Sequence, residues 1–186
     1  FRTNMALKIT VDKPEFNLRE TLTRLDTARV PYEKMPSGSV IQTQFSYYRV
    51  GGTANEFETT SSTYQQSNFL VKISPKFANS TIKFEASINI KQNDGSSYVR
   101  VALYKDIDGG GYNYFTGSTV GHGFITFRNN SATTVWDHVN LTAFDRPQTI
   151  KPVTYRLYLS NSGNTQNVRI GENSADEYLS AMEIRQ

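Results

Sequence analysis

The chain has 186 residues, enough for one ordinary domain and too few for two large ones. Its net charge is only +3, and its basic residues are scattered among acids, as at Arg19, Glu20 and Arg24, so no nucleic-acid partner is expected. The lack of cysteine excludes disulfides, thiolate metal sites and a cysteine nucleophile. No apolar run nears the roughly 20 residues of a bilayer-spanning helix and no secretory leader stands out, so a soluble chain without membrane insertion is expected.

Phe1 to Asn4 precede Met5 and are set aside from the fold. Asn17 and Glu20 match a capping box, and Leu18, Leu22 and Leu25 recur at helical spacing. The predicted helix is short, and its narrow stripe must pack on its own domain, on other copies or on a larger particle. Pro31, Pro36 and Gly38 then break the pattern. The expected organisation is an anchoring arm over 1–38 and a β domain over 39–186.

From Ser39 the signal is strand after strand. Phe69, Val71 and Ile73 alternate with polar residues. Ile82, Phe84, Ala86, Ile88 and Ile90 do so over a longer run, with Lys83, Glu85, Ser87, Asn89 and Lys91 on the other face. Val99, Val101 and Leu103 open the next strand. Further strands are expected around Phe124 to Phe127, Val135 to Leu141, Val153 to Leu159, Val168 to Ile170 and Tyr178 to Ile184. Many short strands, no intervening helical pattern and no repeat predict an all-β fold. The fold class is an antiparallel jelly roll or β-sandwich with a short N-terminal helix and an extended arm.

Several segments carry a likeness: Pro36-Ser37-Gly38-Ser39-Val40-Ile41-Gln42, Val71-Lys72-Ile73-Ser74-Pro75, Ser80-Thr81-Ile82-Lys83-Phe84 and Leu179-Ser180-Ala181-Met182-Glu183-Ile184. Together they resemble a domain of tailed-phage virion proteins, those of marine and cyanobacterial phages in particular, over about residues 36 to 186. Phe16-Asn17-Leu18-Arg19-Glu20-Thr21-Leu22 resembles a leader near the start of some phage fibre proteins. The resemblance implies a homotrimeric jelly roll located in the virion, as a capsid decoration or a fibre tip. Leu18, Leu22 and Leu25 would then anchor or trimerise it on other capsid or tail proteins, and its loops would contact the host surface.

The chemistry-bearing residues add little to suggest an enzyme. Asp106-Ile107-Asp108-Gly109-Gly110-Gly111 resembles the opening of a calcium loop, but position 117 is Gly where an EF-hand needs a bidentate Glu, so a hairpin turn is expected. His122 and His138 have no zinc-type spacing, and no Gly-x-Ser-x-Gly elbow accompanies the serines. No catalytic, metal or cofactor residue is therefore assigned. Among Tyr98, Tyr104, Tyr112, Tyr114 and Phe115 packing is the favoured role, with Tyr112 and Tyr114 the most exposed and the candidates for surface recognition, for example of a host glycan. Trp136 is expected to be buried. The alternative function is a monomeric carbohydrate-binding β-sandwich module.

Overall fold

A computed structural model describes residues 31–48, 56–93, 98–115, 125–128, 134–162, 167–171 and 176–186. The chain divides into two units between Pro36 and Ser37. The described part of the first unit holds one 3-10 turn, Tyr32–Lys34. The expected helix through Leu18, Leu22 and Leu25 lies outside the described residues, as does His122.

The second unit begins two residues before the expected boundary. Gly38 adopts φ 87°, a left-handed conformation that suits glycine, and its N–H donates to the Arg185 carbonyl at 2.8 Å. The described strands are β1 (Val40–Tyr48), β2 (Phe57–Thr59), β3 (Gln65–Ile73), β4 (Thr81–Gln92), β5 (Tyr98–Ile107), β6 (Asn113–Tyr114), β7 (Ile125–Arg128), β8 (Val135–Asp145), β9 (Val153–Asn161), β10 (Val168–Ile170) and β11 (Glu177–Ile184).

Their pairings are nested. β1 pairs with β11, β3 with β9, β4 with β8, and β5 with both β6 and β7, all antiparallel. The chain is thus one long hairpin. Rolling it up brings β11 against β4 and β9 against β5. The result is two sheets, β1-β11-β4-β8 and β3-β9-β5-β7, with β10 and β2 extending the first beside β4 and β6 extending the second beside β5. Nested hairpin pairing over two facing sheets is jelly-roll wiring.

The core lies between the sheets. Ile82, Phe84, Ala86, Ile88 and Ile90 of β4 face Val99, Val101 and Leu103 of β5, Val153, Tyr155, Leu157 and Leu159 of β9, and Phe69, Val71 and Ile73 of β3. Each large side chain buried here contributes about 1.5–3 kcal/mol. Side chains alternate sides along a strand, so burying this set commits every second residue to an outer surface.

The β5–β6 connection is the turn expected from its sequence. Gly110 N–H bonds the Ile107 carbonyl at 3.0 Å, and Asp108 and Gly109 both have positive φ, 57° and 77°. This is a type I′ turn, for which Asp-Gly is a preferred pair. Asp106 Oδ1 accepts the Gly111 N–H at 2.9 Å, closing the rest of the loop.

Trp136 is a correction: it is 40% exposed. Leu141, Ala143 and Asp145 hold the inward positions of β8, so Trp136 shares the outward phase with His138, Asn140, Thr142 and Phe144. Its ring lies under Lys91 Nζ, 5.0 Å from the centroid. Strand β8 also continues four residues past its expected end at Leu141.

Candidate functional site

The segments that carry the phage resemblance meet at one buried carboxylate. Glu183 on β11 points inward and is fully buried. Its Oε1 accepts from Lys76 N (2.8 Å), Phe77 N (3.0 Å) and Ser80 Oγ (2.7 Å); its Oε2 accepts from Lys76 N (2.9 Å) and Gln42 Nε2 (2.7 Å). Gln42 also donates to the Ser74 carbonyl at 2.6 Å. One side chain thereby ties the β3–β4 loop to β1 and β11, and satisfies donors that burial would otherwise leave costly. These motif residues hold the fold together at that end; they form no open site.

A second buried carboxylate joins the two sheets. Asp145 of β8 accepts Lys105 Nζ from β5 at 2.8 and 2.9 Å and the Tyr155 hydroxyl from β9 at 2.8 Å. Burial first, and then the Asp145 charge, push the Tyr155 hydroxyl far above the usual tyrosine range, so it stays a neutral donor.

His138 lies on the outer face of β8. Its Nε2 is 2.9 Å from Ser87 Oγ and its Nδ1 2.9 Å from Asn89 Oδ1, both on β4. With Asn89 Oδ1 as acceptor, Nδ1 carries the proton and Nε2 accepts from Ser87. Acyl transfer at this serine would also need N–H groups free to hold an oxyanion. Strand β4 is laddered on both sides of Ser87, to Tyr178 of β11 and Asn140 of β8, so the groups form a surface network.

Among the described residues, no three His, Cys, Asp or Glu side chains gather closely enough to hold a metal. A cleft of about 470 Å³ is bordered by Ala78, Asn79, Arg146, Gln148 and Gln186. Another, of about 310 Å³, lies between Lys72, Asp106, Asp108 and Thr154. In the second, Asp108 is ion-paired with Lys151 at 2.8 Å and Asp106 holds the loop.

Two outer surfaces carry aromatic side chains. On the β1-β11-β4-β8 sheet, Phe45 (56% exposed) and Tyr47 (72%) stand side by side on edge strand β1, ring centroids 6.2 Å apart. Tyr178 is the cross-strand partner of Tyr47. Phe144 (61%) occupies the opposite edge, and the Lys83–Glu85 ion pair crosses between them. Sequence reasoning missed this face. The alternation Phe45, Tyr47 was legible, but not which phase of β1 points outward.

On the β3-β9-β5 sheet the surface is tyrosine and arginine. Tyr104 stacks on Tyr158 at 3.9 Å, Tyr114 meets Tyr104 edge-on at 5.4 Å, and Tyr64 meets it at 6.2 Å. Tyr112 packs on Tyr158 at 5.9 Å and carries the Arg156 guanidinium at 4.7 Å. The two tyrosines expected to be most exposed, Tyr112 and Tyr114, are half-buried in this cluster rather than projecting from it. Phe115 instead packs against the core, edge-on to Tyr155. Burial raises the Tyr104, Tyr112 and Tyr158 hydroxyls, and pushes Tyr64 up to about 12.

The architecture defines an all-β protein, an antiparallel sandwich with jelly-roll wiring. No protein-family model matches the chain, and no curated protein does. Among solved structures it is similar to one described as the structure of infectious bursal disease virus, Gx strain, at 11% identity and a TM-score of 0.33. That likeness covers 85% of this chain and 41% of the other, so this chain spans about two fifths of its neighbour's length. The fold class rests on the strand pairings.

Proposed function

We propose that the chain is a structural protein of a virus particle, of the tailed-phage kind its sequence resembles. In this reading it assembles as a homotrimer, serves as a capsid decoration or an appendage, and is held to other virion proteins through the arm that contains Leu18, Leu22 and Leu25. The observation that carries it is the flat aromatic face of Phe45, Tyr47 and Tyr178 at the edge of one sheet. A contiguous exposed aromatic surface suits contact with another protein surface better than it suits a small substrate. Symmetric copies would also cover edge strand β1, an otherwise open template for pairing.

Light scattering on the full chain tests the assembly. A mass three times the 21.0 kDa chain is expected, and Phe45→Ser with Tyr47→Ser should lower it while leaving the melting temperature within a few degrees. A chain beginning at Ser37 should fold yet fail to join particles. A monomer at every accessible concentration, or normal incorporation without the arm, would overturn the proposal. The alternative, a carbohydrate-binding module, draws its support from the tyrosine–arginine face and predicts a monomer that binds glycan.

A further inference from the structure

The two sheets treat their edges differently. In the β3-β9-β5 sheet both edges are blunted. Strand β3 breaks its register against β9 between Gln66 and Leu70, and the Tyr48 hydroxyl accepts the Leu70 N–H at 2.6 Å and donates to the Leu70 carbonyl at 2.9 Å. Beyond β5 the described strands are short, two residues in β6 and four in β7. Irregular register, occupied backbone groups and short strands are common defences against unwanted strand pairing.

The β1-β11-β4-β8 sheet lacks these along most of its edges. Among the described residues β1 pairs only with β11, and β8 only with β4. Their ladders run unbroken over residues 42–48 and 135–145. Neither stretch contains lysine, arginine, proline or glycine. Both edges thus present straight rows of backbone N–H and C=O groups, each a template for another strand.

The two edges also complement each other. Neighbouring strands alternate in direction, so β8 runs opposite to β1. A rotation about an axis along the strands therefore brings β1 of one copy beside β8 of the next in antiparallel sense. Exposed aromatics stand on both edges, Phe45 and Tyr47 on β1, Trp136 and Phe144 on β8. The ladders put all four on the outer face of the sheet, so joining the edges makes one aromatic band across the seam. Pairing like edges, β1 on β1 or β8 on β8, would leave the other edge of every copy open.

We propose that copies of this chain join edge to edge, β1 of one against β8 of the next, into a closed ring whose aromatic faces turn toward the axis. This rests on the homotrimer proposed above and names its seam.

Light scattering on the full chain gives the first test. Phe45→Ser with Tyr47→Ser spoils one edge, and Trp136→Ser with Phe144→Ser spoils the other. Each variant alone should fall from three chains to one. Mixed in equal amounts, the intact β8 of the first meets the intact β1 of the second, and the mass should rise toward twice the 21.0 kDa chain. A variant that stays trimeric, or a mixture that stays at one chain, would overturn the seam. Hydrogen exchange on the parent gives the second test. An unpaired edge strand leaves every second amide open to water, whereas a paired one protects consecutive amides. Consecutive protection is expected over residues 42–48 and 136–144 of the parent, with alternate amides exchanging at least about tenfold faster in the variants. A trimer whose alternate β1 and β8 amides exchange freely would refute the seam and leave the trimer standing. A parent that is monomeric would refute both.

Discussion

Replacing Glu183 by alanine is expected to be among the most damaging single changes in the β domain. The carboxylate accepts from Lys76 N, Phe77 N, Ser80 Oγ and Gln42 Nε2, and Gln42 donates to the Ser74 carbonyl as well. The other three donors lose this acceptor. A hydrogen bond to a charged acceptor contributes about 1.5–3 kcal/mol. Lys76 is exposed enough for its N–H to find water, so the low end applies, and the sum is about 4 kcal/mol. For a domain of this size that lowers the melting temperature by about 8–16 °C. Glu183→Gln keeps one accepting oxygen but turns an amide toward the remaining donors, and should cost about half as much. Glu58→Ala removes a partly exposed carboxylate whose partner Arg169 keeps its shorter ion pair with Glu56, and should cost less than about 1 kcal/mol. Urea unfolding followed by circular dichroism would rank the three variants. If Glu183→Ala fell within about 1 kcal/mol of the parent at unchanged m-value, the account of this carboxylate as the tie between β11 and the β3–β4 loop would be wrong.

Three other outcomes follow from the same structure. Lys105→Met leaves the Asp145 carboxylate buried with only the Tyr155 hydroxyl; because Lys105 retains some exposure, the loss should be about 2–3 kcal/mol by urea midpoint, and a loss under about 1 would refute the cross-sheet pairing. Gly109→Ala has room for its methyl group but must hold φ 77°, so it should cost about 1 kcal/mol, and a neutral result would mean that the type I′ turn relaxes. Stability should hold up to about pH 10 and fall above it. The unfolded chain sheds tyrosine protons from about pH 10, whereas the fold retains them at Tyr155 and, to about pH 12, at Tyr64. Near-complete phenolate absorbance at about pH 11, where free tyrosines are about nine-tenths ionised, with the fold intact would contradict this.

Much of the architecture was legible because local physics dictates it. Ile82 to Ile90 alternate so regularly that only one face of β4 could be buried, and Asp108-Gly109 could take positive φ without strain at a hairpin turn. The segments resembling phage proteins pointed to residues that matter, but their role is the Glu183 network, which joins Gln42 to a partner 141 positions away.

What tertiary structure alone decided was phase and partnership. In Val135-Trp136-Asp137-His138-Val139 the alternation does not declare its inward face, and pairing with β4 turned Trp136 outward. Tyr112 and Tyr114 were visible as aromatics beside a glycine turn, yet Tyr158, Tyr64 and Arg156 joined them only when β9 and β5 came side by side. By itself the sequence determined most of the strands from Phe69 onward, the Asp-Gly turn and a polar, cysteine-free β domain. The nested pairing, the outward aromatic face and the tyrosine–arginine cluster required the fold, because a period of two fixes which residues share a side but not which side meets the core.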